Sequence, residues 1–378
     1  MAWLGRVGVG GQGGAAGSTD QWLQHFALLY RDIDDYSLGI ADFLQTGAAA
    51  GEPALVAVPG ANQERLRLAL DRRPISGEWP ASAGRFGRAS GVGGSGDLGR
   101  TGCTDGPAAS LTATRAPAPT VFTDMSELGR NPARIMPAIQ AFIDAAAGEP
   151  IRFVGEPVWP GRSAAEIREA IRHEALINQA FGPATAAILC PYDVSGLPDR
   201  VIADLWRTHP VVICDGRAQR SQAFAGSDDM PAGCDDPLPG VPGDATVAAY
   251  ARDLRAVRTL VADEARRARL SKSRSVDLVL AVSEVAANTL RHTAAGGTIS
   301  TWLADGELIC QLADTGHITD PLAGRRPPNR DHPGGQGLWL VNQVCDLVEL
   351  RTGQDGTVVR LHMRLTSNHA QQSNHAQQ

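Results

Sequence analysis

The sequence predicts two unlike units in one chain, an α/β domain on a parallel sheet followed by an α+β two-layer sandwich. Three observations carry this. From about His25 to Cys214, short apolar runs alternate with helical stretches, and strands that read as continuous apolar runs are covered on both faces. Beyond Gly243 the order changes to two long helical stretches followed by two β-hairpins, which places helices on one face of an antiparallel sheet. Between them, 217–243 is rich in Pro, Gly and Asp and reads as a linker.

Residues 1–19 are Gly-rich and expected to be disordered. The first domain is bounded at 20–216. A helix over 36–50 leads into the strand Ala54–Val58, and a helix follows at 62–72. Residues 74–119 are rich in Gly, Ser, Ala, Pro and Arg without periodicity, an expected disordered insertion. Order resumes with the strand Thr120–Thr123. Asn131-Pro132 then forms an N-cap with Pro at the first helical position, opening a helix to about Ala147. Strands at 151–155, 185–190 and 210–214 alternate with helices at 163–181 and 198–208. The phrase AAAGEP occurs at 48–53 and again at 145–150, each time before a strand; two copies do not make a repeat architecture.

The second domain, 244–365, is expected to open with helices at 246–269 and 274–292. A hairpin follows, 298–304 against 307–313, turning at Asp305-Gly306, a favoured type I′ pair. The last hairpin joins 346–352 to 357–365. In its final strand Val359, Leu361, Met363 and Leu365 alternate with Arg360, His362 and Arg364, a half-buried pattern. The tail, 366–378, repeats SNHAQQ and is expected to be disordered.

A chain of 378 residues with 43% hydrophobic content supports two full cores. The net charge is only -6 and Lys272 is the sole lysine, which argues against a nucleic-acid surface and for Arg recognition of phosphates or carboxylates. The six cysteines form no C-x-x-C pair and no Cys/His cluster along the sequence. Cys190, Cys214 and Cys310 lie in apolar runs, so buried free thiols explain them better than disulfides or zinc. The N-terminal stretch lacks the apolar core of a secretory signal, and no apolar run approaches a membrane span, so the expected location is cytoplasmic with no membrane contact.

Three segments carry chemistry. In Ser283–His292, Glu284 and Asn288 are one turn apart on the same face of an otherwise apolar helix. An exposed helix face is the bland explanation of that pair alone. Asp314-Thr315-Gly316 follows an apolar strand, where a carboxylate can accept from an exocyclic amine and Gly allows close approach to a flat ring. Asp-x-Gly is also ordinary turn chemistry. Gly334-Gly335-Gln336-Gly337-Leu338 runs straight into an apolar helix, whose free N–H groups suit phosphate oxygens. The Pro-rich stretch 317–333, with Arg325 and Arg326, has the length of a mobile lid.

In this order and spacing the three segments resemble the N, G1 and G2 boxes of the GHKL ATPases, which share the Bergerat fold. The likeness is greatest to anti-sigma factor serine kinases, because Glu284, Asn288 and His292 stand as in their N box. The resemblance implies ATP and Mg²⁺ as cofactors, with Asn288 holding the metal, Glu284 as general base, Asp314 and Gly316 at the adenine, and Gly335, Gly337 and Leu338 around the phosphates. It also implies partners: a sigma factor and an antagonist protein phosphorylated on Ser or Thr, and a homodimer as in such relatives. Trp339 departs from the family, where a small residue is usual.

The stretches 25–30, 124–134, 155–162 and 190–193 are similar to the MEDS (DcmR-type sensory) domain. That resemblance implies a RecA-like core without nucleotide chemistry that senses a small molecule. Gly155…Gly161-Arg162-Ser163 is similar to a P-loop, but with five residues between the glycines and Arg in place of Lys. Glu156, Trp159, Arg162, His173 and Asp193 are candidate pocket residues; equally, Trp159 and Tyr192 are core and the charges loop surface. Two other activities stay open for the whole chain. One is an ATP-binding module that sequesters a partner without phosphorylating it. The other is a histidine kinase, for which His173-Glu174 is the only faint phosphoacceptor match and lacks the downstream Pro.

Overall fold

The computed structural model describes residues 23–71, 118–182, 185–226, 230–231, 233–328 and 335–365. The expectations for 1–19, most of 74–119 and 366–378 lie outside the described residues.

In the first unit the elements run β1 (Gln24–Tyr30), α1 (Ile33–Ala50), β2 (Ala54–Val58), α2 (Gly60–Asp71), β3 (Thr120–Asp124), α3 (Met125–Leu128), α4 (Ile135–Ala145), β4 (Ile151–Gly155), α5 (Ala164–Ala180), β5 (Ala186–Asp193), α6 (Asp199–Thr208), β6 (Val211–Cys214) and β7 (Arg217–Arg220). They form a seven-stranded sheet in the order β3-β2-β4-β5-β1-β6-β7, parallel except for the β6–β7 pair. Asp32 caps α1 by accepting from the backbone N–H groups of Asp34 and Asp35, and Gly51 ends the helix at φ 77°. Ser163 and Glu166 close a capping box at the start of α5. Asn131 caps a short 3-10 turn at Pro132–Arg134, which leads directly into α4.

The second unit contains β8 (Thr246–Tyr250), α7 (Leu254–Arg267), α8 (Lys272–His292), β9 (Gly297–Ala304), β10 (Glu307–Asp314), α9 (Gln336–Val344), β11 (Leu347–Gly353) and β12 (Gly356–Arg364). The sheet is antiparallel in the order β11-β12-β10-β9-β8, with the core between it and the helices. Asp305 and Gly306 both take positive φ, as a type I′ hairpin turn requires.

Several expectations are corrected. The helix expected over 246–269 is a strand followed by a helix. Thr246–Tyr250 pairs with β9, and α7 starts only after Asp253, whose side chain accepts from the Arg255 N–H. The expected linker 217–243 contains β7, and Cys234 within it is buried in the first core. The five-stranded sheet is not half-buried. Arg360 and His362, on the face away from the helices, are 5% and 4% exposed beneath a cover of polar groups, where Arg360 donates to the Pro239 carbonyl and His362 lies between Glu307 and Glu349.

The first unit meets the second through charged groups of α5 and of the turn before α4. Arg168 donates to Glu349 at 2.8 Å, and Arg364 donates to Glu166 at 2.5 Å. Glu169, 1% exposed, accepts from Arg351 at 2.5 Å and from Arg325 at 2.8 Å. Arg134 caps the C-terminal end of α9 by donating to the carbonyls of Asn342, Gln343 and Cys345 at 2.6–2.9 Å.

The lid expectation is corrected over its first half. Leu322 is 3% exposed within the core of the first unit, and Arg325 is 4% exposed against Glu169. Residues 329–333 lie outside the described residues.

Candidate functional site

α8 exists because Ser271 caps it and an apolar stripe, Leu278, Ala281, Val282, Val285 and Ala286, buries one face against the sheet. Glu284 and Asn288 stand half-buried beside that stripe. α9 brings the glycine loop to them. A Cβ on Gly337 would lie 2.9 Å from Glu284 Oε2 and 3.4 Å from Asn288 Nδ2, so a larger residue there would push the Glu284 carboxylate aside. Gly335, at φ 73°, is the N-cap of α9 and leaves open space around it. Leu338 packs at the edge of the core.

Asp314 ends β10 on the same side. Its Oδ1 accepts from the Gly316 N–H at 2.7 Å, and its Oδ2 accepts from Thr289 Oγ1 at 2.5 Å. Each oxygen keeps a further lone pair for a ligand amine. A Cβ on Gly316 would sit 2.9 Å from Asp314 Oδ1 and 3.0 Å from Thr293 Cγ2, so a larger residue there would displace the carboxylate. A cleft of about 410 Å³, walled partly by Tyr250, Gly296 and Gly297, opens beside Asp314.

The structure therefore brings Glu284, Asn288 and Gly337 into one cradle, and ties Asp314 and Gly316 to it through Thr289, the residue after Asn288. Gly335 and Leu338 flank the loop. Sequence reasoning missed Thr289 and Tyr250. The Tyr250 hydroxyl donates to Thr289 Oγ1 at 3.0 Å, extending the chain that ends at Asp314. A threonine on an otherwise apolar stripe was the available signal for Thr289; Tyr250 was hidden by the helix expected over it. Arg291 was also missed, and it donates to Asn288 Oδ1 at 3.3 Å. By donor type the residues fit Mg²⁺ and ATP: a carboxylate and a side-chain amide face the glycine turn at the start of α9, whose free N–H groups suit phosphate oxygens.

Residues 247–363 match the family model of the histidine kinase-like ATPase domain, and residues 109–210 match that of MEDS, the methanogen/methylotroph DcmR sensory domain. The chain carries a MEDS sensory domain and a histidine kinase-like ATPase domain. β1, α1, β2 and α2 precede the matched MEDS span, yet β1 lies between β5 and β6 in the same sheet. Among solved structures, the RsbU and RsbW domains of Rv1364c from Mycobacterium tuberculosis share 21% identity over 33% of this chain and 33% of that one, with a TM-score of 0.25. The Acinetobacter baumannii histidine kinase AdeS shares 14% over 32% of this chain and 68% of its own, with a TM-score of 0.20. The chain thus spans about a third of the length of the first of these. No curated protein matches it. Among the described residues, no helix is long and apolar enough to cross a membrane.

In the MEDS domain most of the candidate pocket residues are buried or tied to backbone groups. Arg162 turns inward, stacks on Trp159 at 4.4 Å and donates to the carbonyls of Pro157 and Gly129, so the P-loop-like string holds a buried guanidinium. His173 is 2% exposed, and Asp193 caps the turn at Ser195 and Gly196. Glu156, 1% exposed, accepts from Tyr30, Tyr36 and Asn62 at 2.9–3.5 Å.

Burial pushes the Glu156 carboxyl up to about 7, against the opposing hydrogen bonds from Asn62, Tyr36 and Tyr30. Between its ordinary 4.5 and about 7 the unfolded chain releases this proton while the folded chain keeps it. Folding stability therefore falls as pH rises through that window and levels off above it, by roughly 3 kcal/mol at about 1.4 kcal/mol per pH unit. Glu156→Gln is expected to remove that slope. Thermal melts of both proteins at several pH values will show the variant gaining on the parent towards pH 8.

Proposed function

We propose that the chain is an ATP-dependent, anti-sigma-type regulator that phosphorylates an antagonist protein on Ser or Thr, under control of a small-molecule signal read by the MEDS domain. The observation that carries this reading is the single cradle formed by Glu284, Asn288 and Gly337. With nucleotide bound, Asn288 would hold Mg²⁺, Asp314 the adenine amine, and the α9 N–H groups the phosphates; ATP supplies the γ-phosphoryl group. Glu284 would accept the proton of the attacking hydroxyl and orient it.

Ser/Thr chemistry is preferred to a phosphohistidine because His173, the one phosphoacceptor candidate, sits fully inside the MEDS core on α5. The sensor has a physical route to the site, since it holds both the segment around Leu322 and Arg325 that follows Gly316 and the C-terminal end of α9 through Arg134.

The test is to capture partners of the full-length protein from its native host and incubate them with labelled ATP and Mg²⁺. Acid-stable label on a captured protein is expected. Acid-labile label on this chain would make it a histidine kinase, and binding of ATP without any transfer would leave it a sequestering module.

A further inference from the structure

Four side chains from four elements converge in the MEDS core: His25 of β1, Glu174 of α5, Cys190 of β5 and His209 after α6. Glu174 Oε2 lies 3.0 Å from His25 Nε2, 3.4 Å from Cys190 Sγ and 3.5 Å from His209 Nε2, and Cys190 Sγ lies 3.5 Å from His25 Nε2. All four atoms fall within 4.8 Å of one another, and no residue of the four is more than 2% exposed. A tetrahedral ion with bonds of about 2.0–2.3 Å sets its ligand atoms roughly 3.3–3.8 Å apart.

The donors around the group decide what is missing from it. Asn178 Nδ2 donates to the carbonyls of Glu174, Ala175 and Thr208, which fixes Oδ1 as the atom that faces His25 Nδ1 at 3.0 Å. His209 Nδ1 lies 3.1 Å from the Leu205 carbonyl. Each imidazole therefore donates from Nδ1 and turns the lone pair of Nε2 towards the same carboxylate oxygen. His209 Nε2 is buried with no hydrogen-bond partner. Two imidazole lone pairs aimed at one carboxylate oxygen repel it, and a cation between them relieves that repulsion. The Cys190 thiol, which points at the same oxygen, stands as the fourth donor once it gives up its proton.

We propose that His25, Glu174, Cys190 and His209 form a structural zinc site in the sensory domain. Two neutral imidazoles, one carboxylate and one thiolate balance Zn²⁺ to zero net charge, which suits a fully buried position. Binding forms the Zn–S bond and releases the Cys190 proton to solvent water. Asn178 and Leu205 orient the two imidazoles, and the Tyr192 hydroxyl donates to the free Glu174 Oε1 at 2.8 Å, the arrangement of outer partners that metal-bound histidines and carboxylates keep. With all four ligand atoms supplied by protein and none left to water, the site is closed and holds the sheet to α5 and α6.

The full-length protein, expressed in cobalt-supplemented medium, is expected to carry one Co²⁺ with the intense visible bands of a tetrahedral ion and a thiolate-to-cobalt band in the near ultraviolet. Cys190→Ser should lose the thiolate band, while Cys214→Ser, outside the cluster, should keep it. Tyr192→Phe, which leaves the four ligands in place, should weaken zinc retention against a chelator by about 10–100-fold. If Cys190→Ser does not fold, zinc-edge X-ray absorption of the unaltered protein reads the same shell, with one sulfur and three nitrogen or oxygen neighbours expected. A protein that folds free of metal, a thiolate band that survives Cys190→Ser, or a shell without sulfur would overturn the assignment.

Discussion

Glu284→Gln is expected to leave magnesium-dependent ATP uptake intact and to slow phosphate transfer by about 10²–10⁴-fold, the usual contribution of a positioned general base. Glutamine keeps the length and shape of the side chain, so its contact with Gly337 persists, but it takes up no proton from the acceptor hydroxyl. Asn288→Ala should behave differently and lose nucleotide uptake as well, because it removes the side-chain amide beside the glycine turn. Calorimetry with ATP and Mg²⁺, run beside a transfer assay, separates the two effects. Unchanged transfer in Glu284→Gln would remove the base from the proposal. Unchanged uptake in Asn288→Ala would remove the cradle itself.

Glu169→Ala is expected to destabilise the protein by about 3–5 kcal/mol, because it leaves two buried guanidinium groups without their shared carboxylate. Burial already pushes Arg325 down to about 10, with the neighbouring charge of Arg172 adding to that and Glu169 opposing it. Arg325 and Arg351 are 4% and 6% exposed, so water can replace little of what Glu169 provides. Urea unfolding of parent and variant gives the difference directly. A loss of under about 1 kcal/mol, as for exposed pairs, would mean that the two units touch there without holding each other.

Much of the fold was legible because its signals are local. The cap at Asn131, the Asp305-Gly306 turn and the apolar periodicity of 274–292 each depend on neighbours within a few residues. The segment 246–250 was not legible: two alanines and a valine fit a helix as well as a strand, and only pairing with β9 decides between them. Nor was the burial of Arg360 and His362, since an alternating polar face reads the same whether water or a layer of Glu and Arg covers it. In the site, Glu284, Asn288 and Gly337 were legible through their order in the chain. His25 and Glu174 are 149 positions apart, and no spacing rule links them to Cys190 and His209.

Leu322 and Arg325 belong by sequence to the ATPase-like half and by packing to the MEDS half. This chain is therefore poorly suited to cut-and-paste engineering. Grafting 244–365 behind a foreign receptor would pull an aliphatic wedge out of its socket and strand a cation whose one counter-ion among the described residues, Glu169, stays behind. The seam between the halves works as a hinge-pin shared by both leaves, and any transplant has to carry the pin with it.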